Sequence, residues 1–197
     1  MINFDNKYKF AEMFNPNTGF SLRTGIMENS KDTGIDPFMR SFPSLLDVGV
    51  MGHCKNASNC FVGCYQGKKV RPNMTLENFK SIVDQAIKGK TFEMALGGFG
   101  SPNEHEDFVS ILRYARENGI VPSYTTSGIE LTLEQINASK NYCGAVAVSW
   151  YRQSYTIDAI ESFIYAGVKT NIHYVLGNDS IDEALVRLET KNFPVGI

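Results

Sequence analysis

The stretch GHCKNASNCFVGCYQGKK, residues 52–69, places Cys54, Cys60 and Cys64 within eleven positions, with five residues in the first gap and three in the second. Thiolates are soft metal ligands, nucleophiles and redox groups, so a cluster of this kind points to a metal centre, a catalytic group or reactive thiols. A structural zinc site takes four ligands, commonly spaced two to four residues apart within each pair. A [4Fe-4S] electron carrier likewise fills all four positions with cysteine. Three ligands leave one position open, and an open position is where a substrate or cofactor binds. The remaining cysteine, Cys143, immediately precedes the apolar run GAVAVSW. A strand of that length separates it from the cysteine loop by roughly 20 Å, at about 3.3 Å per residue. Cys143 is therefore expected to be a buried small apolar residue and not a fourth ligand.

The elements that must position these thiols follow from hydrophobic pattern. From residue 45 onward, short apolar runs alternate with amphipathic stretches, the pattern of successive βα units. Strands are expected at 45–52, 91–97, 120–126, 144–150 and 168–176. Between the first two, Leu76, Phe79, Ile82, Val83, Ala86 and Ile87 share one helical face that ends at Gly89. A second helix is expected to start from a Ser101 cap with Pro102 at its first position and Glu104 completing a capping box, and to stop at Gly119. The same device recurs as Thr132 with Gln135 and as Ser180 with Glu183. Helical crossovers return each strand parallel to its predecessor. An open doubly wound sheet and a barrel both fit this rhythm.

A complete barrel needs about 250 residues, so the α/β fold expected over 45–197 is at most a partial (β/α) barrel. The chain stops at KNFPVGI, where a loop into a sixth strand is expected, and is read as truncated there. Residues 1–44 lie outside the rhythm and read as an N-terminal β-hairpin extension capping one end or edge of the sheet. In this arrangement the cysteine loop follows the first strand, at the carboxyl edge where parallel α/β folds bind ligands.

Composition removes several function classes. Nineteen basic against twenty-one acidic residues give a formal charge of −2, so no global field draws the chain to nucleic acid or an anionic membrane. The amino terminus MINFDNKYKF has no apolar signal core, and no run approaches the eighteen or so apolar residues of a membrane span. A cytoplasmic location is expected, where thiols stay reduced and clustered cysteines serve metals or catalysis.

Three clustered cysteines after the first strand of a βα array, an aromatic residue beside the last of them, and GGFGSP after the second strand resemble the radical S-adenosylmethionine superfamily. The resemblance covers residues 45 to 177. It implies a barrel-type fold, a [4Fe-4S] cluster held by Cys54, Cys60 and Cys64, and S-adenosylmethionine chelated to the fourth iron. It further implies reductive cleavage to a 5'-deoxyadenosyl radical that abstracts hydrogen from an unidentified substrate. An external one-electron reductant, flavodoxin-like or ferredoxin-like, would feed the cluster.

By position, Gly97 and Gly98 would offer carbonyls to the amino group of S-adenosylmethionine, and Ser127 and Ser149 would hold its carboxylate or ribose. Arg152 would pair with that carboxylate, Tyr65 would contact adenine, and Val175 and Leu176 would lie against it. This chain departs from the family pattern in three places. Its cysteine gaps are five and three where three and two are usual, Tyr65 follows the third cysteine instead of preceding it, and Phe99 stands where the glycine motif carries an acid.

Other residues admit two readings from sequence. His53 is a zinc ligand, a proton donor or a hydrogen-bonded loop residue. His105 and the acids of NEHED fall in a first helical turn, where solvation and the helix dipole account for them. His173 faces the barrel interior as packing or as a substrate contact, and Trp150, Tyr151 and Tyr155 line a pocket or close a core. The contrasting function is a non-catalytic zinc or iron-sulfur domain used for structure or partner recruitment.

Overall fold

The computed structural model describes residues 1–55, 70–150, 154–177 and 180–190. Cys60, Cys64, Tyr65, Tyr151 and Arg152 lie outside the described residues. The first three strands, β1 (Ile2–Asp5), β2 (Phe10–Phe14) and β3 (Ser21–Arg23), form an antiparallel sheet in chain order, followed by a hairpin of β4 (Met27–Glu28) and β5 (Lys31–Asp32). The extension thus exceeds the two strands expected, because Ile2–Asp5 pairs with the far edge of β2.

Next come β6 (Leu45–Gly49), α1 (Leu76–Lys88), β7 (Glu93–Gly97), α2 (Phe108–Glu117), β8 (Val121–Thr126), α3 (Leu133–Tyr142), β9 (Ala145–Ser149), α4 (Ser154–Ala166), β10 (Thr170–His173) and α5 (Ile181–Thr190). The five later strands make one parallel sheet in the order β10-β9-β8-β7-β6. Each strand lies beside its predecessor with no reversal of order. That is the singly wound progression of a barrel wall and not a doubly wound sheet, whose order reverses at a switch point.

The two faces of the sheet differ in kind. Alternate residues Val48, Met94, Leu96, Tyr124, Val146 and Val148 are buried against Phe79, Val83, Ile111, Leu112 and Phe163 from the helices. A fully buried side chain of this size contributes about 1.5–3 kcal/mol. The opposite face carries Asp47, Ala95, Ser123 and Ala145 in one row across four strands, then Gly49 beside Gly97, Thr125 beside Ala147 and Asn171, and Ser149 beside His173. Small and polar residues on that face leave room where a filled barrel would have branched apolar ones.

Local signals account for two of the helix starts. Thr75 accepts the N–H of Asn78 at α1, and Thr132 and Gln135 close a reciprocal capping box at α3. The expected start of α2 at Ser101 is corrected: Pro102–Glu104 form a single 3-10 turn, and the α-helix begins after Asp107. Ser101 makes no capping bond there, because its hydroxyl is committed to Ser127.

The N-terminal sheet seats on the amino end of the parallel sheet. Phe14 stacks on Phe92 with ring centroids 5.4 Å apart, and Val121 completes the buried trio. Lys169 Nζ donates to the carbonyls of Asn17 and Thr18, and Arg40 pairs with Glu12 at 2.9 Å. Among the described residues no helix is long and apolar enough to cross a membrane. Phe92→Ala should lower stability by about 3–5 kcal/mol, read as a lower urea midpoint at unchanged slope. A loss under about 1 kcal/mol would mean that the stacked pair does not anchor the sheet.

Candidate functional site

The chain leaves β6 through Val50 and Met51, both buried, and reaches Cys54 three residues later. The returning segment runs alongside it: Met74 N donates to Val50 O at 2.8 Å, Arg71 N to Gly52 O at 3.0 Å, and Gly52 N to Asn73 Oδ1 at 3.0 Å. A side chain at Gly52 would collide with the Arg71 carbonyl, so only glycine permits this approach. Both ends of the cysteine loop are therefore pinned to the carboxyl edge of β6.

The glycine turn after β7 meets that loop. Gly97 pairs in register with Gly49, and no atom lies within 4 Å of where a Cβ on Gly97 would sit. Gly98 adopts φ +89° and Gly100 φ +64°. A Cβ on Gly100 would strike the His53 carbonyl and lie 3.3 Å from Cys54 Cα, so the two loops are in backbone contact. The structure thus brings Cys54, Gly97 and Gly98 to one edge.

Ser127 lies beside them but is 4% exposed, with its Oγ 3.0 Å from Ser101 Oγ and its N–H donating to that same Ser101 oxygen. Thr126 Oγ1 donates to Asn103 Oδ1 at 2.6 Å, and Gln135 Nε2 to Asn103 O at 2.6 Å, which ties the loops after β7 and β8 together. Ser149 ends β9, half-buried, beside the exposed His173 of β10. Val175 and Leu176 are exposed beyond it. Trp150 closes core instead of lining a pocket: it is 4% exposed with Arg187 4.9 Å over its ring.

His105 is also corrected, from a solvated helix residue to a buried one. Its Nδ1 accepts the N–H of Asp107 and its Nε2 donates to Met74 O at 2.7 Å, which couples the 3-10 segment to the loop's return. Asn73 Nδ2 adds a bond to Glu106 Oε2 at 2.7 Å.

Sequence reasoning assigned Glu104 to a cap, and the structure puts it against the cysteine loop. It lies close enough to Lys55 for that residue's charge and backbone N–H to act on its carboxyl, and Oε2 is buried with no hydrogen-bond partner among the described residues. Burial pushes the Glu104 carboxyl above the ordinary range; the charges of Lys55 and His53 pull it back and Glu130 adds to the rise. The signal available in sequence was its place seven residues after Gly97, just past the glycine motif, but a capping box explained the same letter.

Cys143 caps the end of α3 and packs against the core immediately before β9, at the edge opposite Cys54. Burial raises its thiol above the ordinary range, opposed by Arg116 and a bond to Ser139. Among the described residues no three His, Cys, Asp or Glu side chains converge as a metal cage.

The chain matches no family profile and no curated sequence. Its fold matches solved structures. Streptococcus suis SuiB bound to precursor peptide SuiA shares 18% identity at a TM-score of 0.60, covering 78% of this chain and 38% of that one. The anSMEcpe enzyme with bound AdoMet shares 18% at 0.60, covering 77% and 49%. BtrN in complex with AdoMet and 2-DOIA shares 13% at 0.53, covering 73% and 60%. These are radical S-adenosylmethionine enzymes, so the chain has the fold of that superfamily. It spans between 38% and 60% of the length of these neighbours.

Two outcomes test the geometry. Gly100→Ala should cost on the order of 1–3 kcal/mol from its left-handed backbone, plus a steric penalty that Gly19→Ala lacks, since Gly19 (φ +73°) has nothing within 4 Å. Equal denaturant midpoints for the two variants would remove the loop contact. Iodoacetamide should modify Cys143 about tenfold more slowly in the native protein than in urea; equal rates would refute its burial.

Proposed function

We propose that this chain is the core of a radical S-adenosylmethionine enzyme. The observation that carries the reading is the backbone contact between Cys54 and the glycine turn after β7, in a fold shared with enzymes solved with bound AdoMet.

The residues present fit the implied groups. Cys54 is a soft thiolate donor at the carboxyl edge, and with Cys60 and Cys64 from the same loop it would hold a [4Fe-4S] cluster. When bound, that cluster supplies the electron that splits the sulfonium of S-adenosylmethionine. The Gly97 and Gly98 carbonyls would accept from the cofactor's ammonium, and the space over the Gly97 Cα is open. The oxygen of Glu104 that has no hydrogen-bond partner among the described residues would offer a negative charge from the next turn, whereas Phe99 has none.

Ser149, at the carboxyl end of β9, would meet the ribose or carboxylate of the cofactor, and Arg152 and Tyr65 would be further contacts. Ser127 instead serves by fixing the loop after β8 to Ser101. A flavodoxin-like or ferredoxin-like donor would feed the cluster, and a cytoplasmic setting, where thiols stay reduced, would suit it. The neighbours were solved with peptides and with 2-DOIA, so the class of substrate is left open.

Anaerobic reconstitution with iron and sulfide should yield a [4Fe-4S] electron paramagnetic resonance signal that shifts when S-adenosylmethionine is added. Cys54→Ala and Cys60→Ala should abolish it, and Cys143→Ala should keep nearly full iron content. Tight stoichiometric zinc in place of a cluster, or equal iron loss in all three variants, would overturn the reading.

A further inference from the structure

The amino end of the parallel sheet contains a cavity that the cysteine site does not use. It measures about 460 Å³ and is lined by Glu93, Ser123 and Asn171 from the strands, and by the turn through Thr18 that the N-terminal sheet lays beneath them. These three strand residues lie on the small, polar face. Lys169, on the rim, is committed to the carbonyls of Asn17 and Thr18. Thr170 Oγ1 donates to Val168 O at 2.9 Å. The carboxylate of Glu93, the hydroxyl of Ser123 and the amide of Asn171 have no side-chain or backbone partner among the described residues.

Charge decides what would fit. Glu93 is half-buried, and the charge that bears on it is the like charge of Glu12, which already has Arg40 as its own partner. Burial, reinforced by Glu12, raises the Glu93 carboxyl above the ordinary range. A partly desolvated carboxylate facing open volume, without a cation of its own, is completed by a positive group that also donates hydrogen bonds.

We propose that this cavity binds the ammonium group of a small polar amine, with the Glu93 carboxylate as its counter-charge and Ser123 and Asn171 bonding adjacent hydroxyl or carbonyl groups. Resting on the radical reading, the amine is the far end of the substrate. Glu93 and Gly97 begin and end β7, about 13 Å apart at 3.3 Å per residue. An amine anchored at Glu93 would extend along the polar face toward the carboxyl edge.

The test is calorimetric titration of the protein before iron and sulfide are added, using 5-amino-1-pentanol as the ammonium probe and 1,5-pentanediol as its neutral counterpart. Saturable one-to-one binding of the amino alcohol is expected, weakened about tenfold or more in Glu93→Gln and unchanged in the exposed surface control Glu117→Gln. Ser123→Ala should weaken it several-fold. Far-UV circular dichroism of Glu93→Gln should match the parent and its melting temperature should be no lower, since the change removes a repulsion with Glu12. Equal binding of the diol, undiminished binding in Glu93→Gln, or no saturable binding would overturn the proposal. Because the titration needs no cluster, a failed resonance experiment leaves this result standing, and a failed titration leaves the cluster assignment standing.

Discussion

The structure depends on how closely two backbones can approach at the carboxyl edge of β6 and β7. Gly49 and Gly97 sit side by side at the strand ends, Gly98 turns away with a positive φ, and Gly100 rests on the His53–Cys54 peptide. Any Cβ on Gly100 or Gly52 would meet a carbonyl, so the absence of side chains is itself the contact surface. This packing sets where Cys54 stands relative to the glycine carbonyls. The hydrogen bonds of Val50 and Gly52 with Met74, Arg71 and Asn73 then pin both ends of the cysteine loop, and buried His105 bonds the returning segment at Met74.

The rest of the molecule divides the labour between the two faces of one sheet. The helix-side face is conventional core, with Phe79, Met94, Leu96, Ile111 and Phe163 fully buried. The opposite face gives up that apolar stabilisation for alanine, glycine, serine, threonine and asparagine. Burying less apolar area there lowers the stability available from folding, and the N-terminal sheet offsets part of it by stacking Phe14 on Phe92 at the amino end. The result is a polar face with the N-terminal sheet at one end and Cys54 at the other.

Two carboxylates are held partly out of water. Glu104 near Lys55 and Glu93 at the amino end of β7 are each half-buried, and burial raises both. A purely structural position would be better filled by glutamine or by a paired acid.

The strand and helix order, the capping box at Thr132, the parallel sheet and the position of the cysteine loop after the first strand were all legible in sequence, because periodicity, caps and turn residues act within short segments. The separation of Cys143 from Cys54 was legible for the same reason, since strand length fixes it. What a side chain bonds to across two units was not. Ser101, Glu104 and His105 read as the first turn of a helix, yet tertiary packing drew Ser101 to Ser127, Glu104 to Lys55 and His105 to Met74. A cap motif and a loop junction share the same letters; only the neighbouring βα unit, brought alongside by the folded sheet, decides between them.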